Sequence, residues 1–260
     1  AVIAPGPELA LDQIGLPRDL AWELFGEDVA TDVGKDAVSR RTKEATSRLE
    51  TIAASTHLFV HKSVHRTPTS IFAAYSVLID EPVIRIHPMH CSLIDADFDG
   101  DQVGVFRPRS KEAIKECAER LSVAGHLRHT PSALRILISR PHGISWGLTQ
   151  LARTAGGRKQ IEEIAGEPID DRYYGKGSYL ALLERIFERE GVSDEGLAHT
   201  FAAFDGLMRL GFEACKGSGV SVNPFLGARL DLPDVPTSDD PELSHIYREE
   251  LIATLNQETD

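Results

Sequence analysis

The segment DADFDGD, residues 95–101, lies between the apolar runs CSLI (91–94) and VGVF (103–106). It carries four carboxylates, Asp95, Asp97, Asp99 and Asp101, at alternate positions. On a straight strand alternate side chains share one face but stand roughly 7 Å apart. That spacing is too wide for one small cation, since Mg²⁺ takes oxygens at about 2.1 Å. Gly100 lets the backbone bend, so the carboxylates can converge. With no cation between them, clustered carboxylates repel and some are driven to protonate. The flanking apolar runs argue against an acidic surface turn. The segment therefore reads as a bend between β segments that holds a hard divalent metal.

Two other uses of spaced aspartates are testable on the sequence. A calcium-hand loop starting at Asp95 needs Glu at its twelfth position, and Phe106 stands there. A phosphatase of the haloacid-dehalogenase type has DxDx followed by Thr or Val after an apolar strand. Asp95 and Asp97 fit that pattern, but Asp99 takes the Thr/Val place and no parallel βαβ pattern precedes it.

Outward from the bend, residues 57–107 are a β region. LFVHKSV, YSVLI, VIRI and QVGVF are short and rich in β-branched residues, with turn residues between them. The first 30 residues read as strand, turn and helix. Leu16, Leu20, Ala21, Leu24 and Phe25 share a helical face, with Pro17 at its start and Gly26 at its stop. Residues 27–50 are polar and read as an exposed helical insertion or connector. After Ser110, a residue fit to cap a helix, Ile114, Cys117, Ala118 and Leu121 recur at helical spacing. Cys117 then belongs to the core. Further helices follow, and the acidic, Pro-containing last 30 residues read as a loop and one more helix. Trp22 and Trp146 fall on apolar stripes and are expected in the core. GGRK, residues 156–159, lacks the spacing of a phosphate-binding loop.

The 260 residues suffice to bury a sizeable core, and 42% apolar against 26% charged residues argues against long disorder. Lys and Arg total 28 against 40 Asp and Glu, a net charge of −12, so bulk electrostatics will not hold nucleic acid. No apolar run approaches the ~18 residues of a membrane span. The start, AVIAPGPELA, has no signal-peptide core and no initiator Met, which suits a processed chain or a piece of a longer one. Cys91, Cys117 and Cys215 are far apart and offer no CxxC pair, so a reducing cytoplasm is the simplest setting. His61, Lys62, His65 and Arg66 form a small basic cluster ahead of the acidic one. Its members read either as phosphate or sugar contacts or as an exposed strand end.

ADFDGDQ, residues 96–102, resembles the metal-binding signature NADFDGDQ of the largest catalytic subunit of multisubunit RNA polymerases, called β′ in bacteria. VLIDEPVIRIHPMHC, ending at Cys91, is similar to the family segment VLIEGKAIQLHPLVC. GPELALDQIGLPRDLAWELF, ending at Phe25, resembles GPxLxLxQCGLPxxMALELF. HRTPT, residues 65–69, looks like the start of NRAPTLHR, and GFEACKGSGVSV, residues 211–222, looks like GFRYATRSGISI. These matches run in the family's order over residues 1 to about 225.

The resemblance implies an α+β fold: a double-psi β-barrel in residues 1–110, with a helical insertion at about 27–56. A mainly helical region, 111–260, would then resemble the β′ pore and funnel side. It implies nucleotidyl transfer to an RNA 3′ end by a two-Mg²⁺ mechanism, with Asp97, Asp99 and Asp101 holding the metal. Arg66 falls on an arginine that contacts nucleotide or RNA sugar, and Asp95 on an asparagine that senses sugar hydroxyls. His87 matches a structural barrel residue. The implied partners are a β-type subunit carrying a second barrel, the remaining polymerase subunits, DNA template, RNA and NTPs.

The sequence also departs from the family pattern. Asp95 replaces an amide that both donates and accepts with a carboxylate that accepts only when ionised. The span from Arg66 to His87 is four residues shorter. The family's clamp, bridge helix and trigger loop have no counterpart in these 260 residues. The chain alone is therefore not expected to polymerise RNA. The alternative is a non-catalytic β′-like barrel that serves binding or assembly. A DxDGD site also occurs in single-chain RNA-dependent polymerases, which leaves an RNA template open.

Overall fold

The computed structural model describes residues 1–63, 67–130, 132–141, 143–170, 173, 175–218 and 245–250. Residues 1–218 form one compact unit, and 219–260 a second, of which the described stretch 245–250 is helical. The first unit is α+β. Its strands are β1 (Ile3–Pro5), β2 (Gln13–Pro17), β3 (Leu58–His61), β4 (Ile71–Ile79), β5 (Ile84–Ile86) and β6 (Gly104–Phe106). Its helices, in chain order, are α1 (Arg18–Val33), α2 (Lys35–Ser39), α3 (Lys43–Ser55), α4 (His90–Leu93), α5 (Lys111–Glu116), α6 (Val123–His129), α7 (Ala133–Leu137), α8 (Ile144–Ala152), α9 (Ala155–Ala165), α10 (Gly175–Glu190) and α11 (Asp194–Gly217).

The strands make one mixed sheet in the order β1-β5-β2-β4-β3-β6. β1 with β5 and β2 with β4 run parallel, while the other neighbours run antiparallel. A parallel pair needs a long crossover, and α1 to β3 supply it between β2 and β4. The sheet curls so that its two edges meet. Val2 bridges Gln102, the Ile3 amide donates to the Asp101 carbonyl at 3.0 Å, and the Val103 amide donates to the Ala1 carbonyl at 3.0 Å. The segment that ties the edges together is therefore the end of the acidic stretch.

Helix α1 does not stop at Gly26. It runs to Val33 and ends at Gly34, whose φ of +90° takes the chain out of the helix. A glycine inside a helix costs about 1 kcal/mol, and packing outweighs that. Ala21, Phe25 and Val29, spaced four apart on α1, are fully buried, as are Ala45, Leu49 and Ala53 on α3. The expected exposed insertion is thus an amphipathic helical layer. Thr42 caps α3 by accepting from the Ala45 amide.

Ser110 does cap α5, accepting from the Ala113 amide at 3.1 Å. The helix after it is shorter than its periodicity suggests. It widens into a π-helical turn at Cys117–Leu121 and breaks at Ser122, which caps α6 through the Gly125 amide. Cys117 is buried as expected, but Ile114 is 46% exposed. Trp146 is 43% exposed rather than in the core, and Trp22 is half-buried against it. Gly147 explains Trp146. It lets α8 touch α11, and a Cβ there would lie 1.9 Å from the Gly211 carbonyl oxygen. With that face of α8 against α11, the preceding residue, Trp146, faces outward.

Two buried histidines fasten the sheet. His90 Nε2 lies 2.7 Å from the Leu11 carbonyl, and His126 Nε2 lies 2.8 Å from the Ile71 carbonyl, so each donates from Nε2. His87 is fully buried too. Its Nδ1 accepts from the Met89 amide, and its Nε2 is 3.1 Å from Asp205 Oδ1. All three rings are committed to structural contacts. Burial, reinforced by the neighbouring His87, pushes the His90 pKa down to about 3, against about 6.5 for a solvated ring.

Two predictions follow from this packing. Between pH 6.5 and 3 the unfolded chain binds the His90 proton and the folded chain does not, so stability is whole above pH 6.5 and falls on acidification. Urea titrations across that range should show the decline, and His90→Gln, which keeps a donor for Leu11, should flatten it. Gly147→Ala should lower stability by about 1–3 kcal/mol through overpacking, measured by the same titration at neutral pH.

Candidate metal centre

The acidic segment is a loop pinned at both ends. Ahead of it, α4 and the residues after it bury Cys91, Leu93, Ile94 and Ala96. The Leu93 carbonyl accepts from the hydroxyls of Thr67 (2.8 Å) and Thr69 (3.0 Å), and the Ala96 amide closes on the Cys91 carbonyl at 2.9 Å. Behind it, Asp101 is held by the backbone of β1. Between these anchors, half-buried Phe98 packs on the core. Gly100 turns the chain with φ +119°, a region that a side chain disfavours. The bend inferred from the sequence is therefore present.

Its consequence is convergence. Asp97, Asp99 and Asp101 each place a carboxylate oxygen so that all three lie within 4.8 Å of one another. Asp97 and Asp99 are exposed and Asp101 is half-buried. The Asp97 amide donates to Asp101 Oδ2 at 3.1 Å, which fixes the inner carboxylate against the start of the loop.

These side chains line an open cleft of about 360 Å³, together with Lys62, Asp95, Ala96 and Arg140. Lys62 follows β3, and its ammonium donates to the Asp101 carboxylate and, at 2.8 Å, to the Asp95 carbonyl. Arg140, beyond α7, reaches Asp95 Oδ1 with Nη2 at 2.5 Å and the Ala96 carbonyl with Nη1 at 2.9 Å. The charges act in opposite directions on neighbouring carboxyls. The hydrogen bond from Lys62 holds the Asp101 pKa below the usual carboxylate range. The hydrogen bond shared with Asp97, and then the Asp97 charge, push Asp99 above it. Carboxylate oxygens this close can share a cation.

The donor set is all carboxylate oxygen, which suits a hard divalent ion such as Mg²⁺ or Mn²⁺ rather than a soft metal. Cys91 is no rival ligand, because burial pushes its thiol up to about 12. His87 and His90 are turned to other partners. A larger hollow of about 540 Å³, where the turn before β2 and Tyr75 of β4 face α11, holds Asp12, His57 and Tyr75 within largely apolar walls. Burial raises the Asp12 pKa and lowers that of His57, so both drift toward their neutral forms.

The structure thus brings together Asp97, Asp99 and Asp101, and sets Asp95 on the same cleft with its carboxylate turned to Arg140. Arg66 and His65 lie outside the described residues. Of the basic cluster, Lys62 is the member the structure places in the cleft, and His61 stacks on Phe106 with centroids 5.4 Å apart. Arg140 was not legible in the sequence. It stands in ISRPHG, residues 138–143, with no spacing relation to the aspartates.

Comparison with known proteins gives a consistent result. A family model described as RNA polymerase Rpb1, domain 2, matches residues 59–123. The DNA-directed RNA polymerase subunit β′ of Dehalococcoides mccartyi is 35% identical over 202 residues, covering 74% of this chain and 16% of that subunit. The same subunit of Campylobacter jejuni is 34% identical over 280 residues, covering 86% of this chain and 18% of that subunit. That of Campylobacter fetus is 37% identical over 128 residues, or 45% of this chain. The chain spans 16% to 18% of the length of the first two relatives.

The geometry predicts an ordered titration. In the ion-free chain, Asp101 should lose its proton at lower pH than Asp99, and Lys62→Met should move the Asp101 midpoint upward toward the ordinary carboxylate value. Carboxyl ¹³C NMR over pH 2–7 reads both midpoints.

Proposed function

Because this chain belongs to the β′ family of DNA-directed RNA polymerase subunits, we propose that it is the metal-bearing catalytic-barrel portion of such an enzyme. The observation that carries this reading is the convergence of Asp97, Asp99 and Asp101 in the one stretch that bears the ADFDGDQ signature. The three aspartates hold Mg²⁺. Mg²⁺ held there would supply a lowered pKa for an RNA 3′ hydroxyl, and a second ion carried by the nucleotide would stabilise the charge of the pyrophosphate leaving group.

The chain's own residues prepare for this in definite ways. The two pinned ends of the loop keep the carboxylates together without an ion, so little reorganisation is needed on binding. Lys62 neutralises Asp101 in the ion-free chain. Its flexible stem then lets the ammonium turn toward a nearby phosphate, since an ammonium is a mobile point charge. Asp95 and Arg66 read the nucleotide sugar, in keeping with the positions that they share with the family motifs. The mixed parallel and antiparallel order, with edges joined at Val2 and Gln102, supports a double-psi β-barrel in residues 1–110. The helices of residues 111–218 pack outside it on the pore and funnel side.

The site is open on its polar side and its described basic residues number two, Lys62 and Arg140. A chain with a net charge of −12 needs cationic surface from elsewhere to hold a nucleic acid. A β-type subunit with a second barrel, and the remaining polymerase subunits, supply that surface and the binding of template, RNA and NTPs. The setting is cytoplasmic. In keeping with it, no helix among the described residues is long and apolar enough to cross a membrane, and all three cysteines are free thiols.

The test is a native pull-down of the full chain from its own cells, followed by primer extension on the recovered complex. Extension should require Mg²⁺, and Asp99→Ala should reduce it by at least about a hundredfold, as expected for loss of a metal ligand. A stable complex with no extension, or a chain recovered alone, would replace this reading with a non-catalytic β′-like barrel. DNA and RNA templates run side by side identify which one the complex copies.

A further inference from the structure

Four carboxylates line the cleft, and one of them does not join the others. Asp97, Asp99 and Asp101 form the group whose oxygens lie within 4.8 Å, and Asp95 stands outside it. The Asp95 carboxylate is instead 2.5 Å from Arg140 Nη2, while Nη1 of the same guanidinium donates to the next carbonyl, that of Ala96, at 2.9 Å. Asp95 has φ +48°, in the left-handed region that costs a non-glycine residue free energy unless contacts hold it. Arg140 supplies two such contacts, and Lys62 supplies a third through the Asp95 carbonyl. The backbone leading to the arginine is anchored, because Ala133, Leu137 and Ile138 just ahead of it are buried. A planar guanidinium held in this way is a rigid, permanently charged partner.

A carboxylate beside three others would ordinarily be drawn into the same ion or be forced to protonate. Here a cation of the protein itself takes it. We infer that Arg140 is a positioning residue for the metal loop. It serves as a counter-ion of Asp95 and helps keep this fourth carboxylate out of the ligand set, so that a divalent ion is held by Asp97, Asp99 and Asp101. The inference rests on the metal-binding reading of those three residues and assigns a role that the acidic motif does not contain. It also makes the helical region, through the segment after α7, part of what shapes the metal loop.

The test is Mn²⁺ binding to the full 260-residue chain, followed by water-proton relaxation or electron paramagnetic resonance, with no polymerase activity required. The unaltered chain should bind Mn²⁺, and Asp99→Ala should abolish that binding. Arg140→Gln keeps a donor for Ala96 but removes the charge, and should tighten binding by roughly fivefold as the positive charge beside Asp95 is lost. Asp95→Asn leaves an uncompensated guanidinium and should weaken binding by roughly fivefold, far less than loss of a ligand. The double variant should return to within about twofold of the unaltered chain, and Arg140→Lys should stay close to it. A merely structural Arg140 would give weaker binding in Arg140→Gln and no recovery in the double variant, which overturns the inference. So would an Asp95→Asn loss as large as that of Asp99→Ala. If Arg140→Gln fails to fold, the Asp95→Asn and Arg140→Lys results still decide. Absence of Mn²⁺ binding by the unaltered chain overturns the metal reading and this inference together, whereas single variants that shift in the same direction overturn this inference alone.

Discussion

Mutual repulsion among carboxylates is the constraint around which the rest of this structure is arranged. Three of them place carboxylate oxygens within 4.8 Å of one another in one short loop. Such a loop would open unless its ends were fixed, and both ends are. Thr67 and Thr69 grip the Leu93 carbonyl on one side, while β1 takes the Asp101 backbone on the other. The residual repulsion is met in three ways: by the Asp97 contact that raises the Asp99 pKa, by the Lys62 ammonium on Asp101, and by Arg140 on Asp95. Each acts on a different carboxylate.

The sheet carries this arrangement because of how it closes. The contacts that join its two edges include the Asp101 carbonyl and the Val2–Gln102 bridge, so the joining of the sheet edges and the anchoring of the loop share the same stretch of backbone. The helices brace the sheet from outside. α1 and α3 interlock through small and large buried residues at four-residue spacing, and α8 meets α11 at Gly147 and Gly211, where backbone lies against backbone. Buried His90 and His126 tie carbonyls of distant segments from a neutral ring, which adds polar fastening without burying charge.

Several features were legible in the sequence because they are local. The β character of residues 57–107 follows from β-branched runs and turn residues, and four of the six strands fall there. The Ser110 cap and the bend at Gly100 follow from one or two residues each. The features misread in the sequence are those that tertiary contact decides. Gly26 signals a helix end, but the buried stripe of Ala21, Phe25 and Val29 carries α1 past it. Ile114 lies on a helical apolar stripe, yet the π-helical turn at Cys117 shifts the register and leaves it exposed. Trp146 has the hydrophobicity of a core residue, but the glycine contact beside it sets its orientation.

The sequence by itself determined the identity of the metal-ligand candidates, their hard-oxygen chemistry and the family to which the chain belongs. All of that resides in residue types at short spacing, where chain geometry leaves few alternatives. Only the tertiary structure decided which cations meet those carboxylates. Lys62 and Arg140 stand far from Asp97 in sequence, on either side of it; the basic cluster around Lys62 left its role open, and nothing in its neighbours marks Arg140. They reach the cleft because β3 pairs beside β6 and because the segment after α7 packs against the loop. Electrostatic partnership depends on distance through space, and the fold sets that distance.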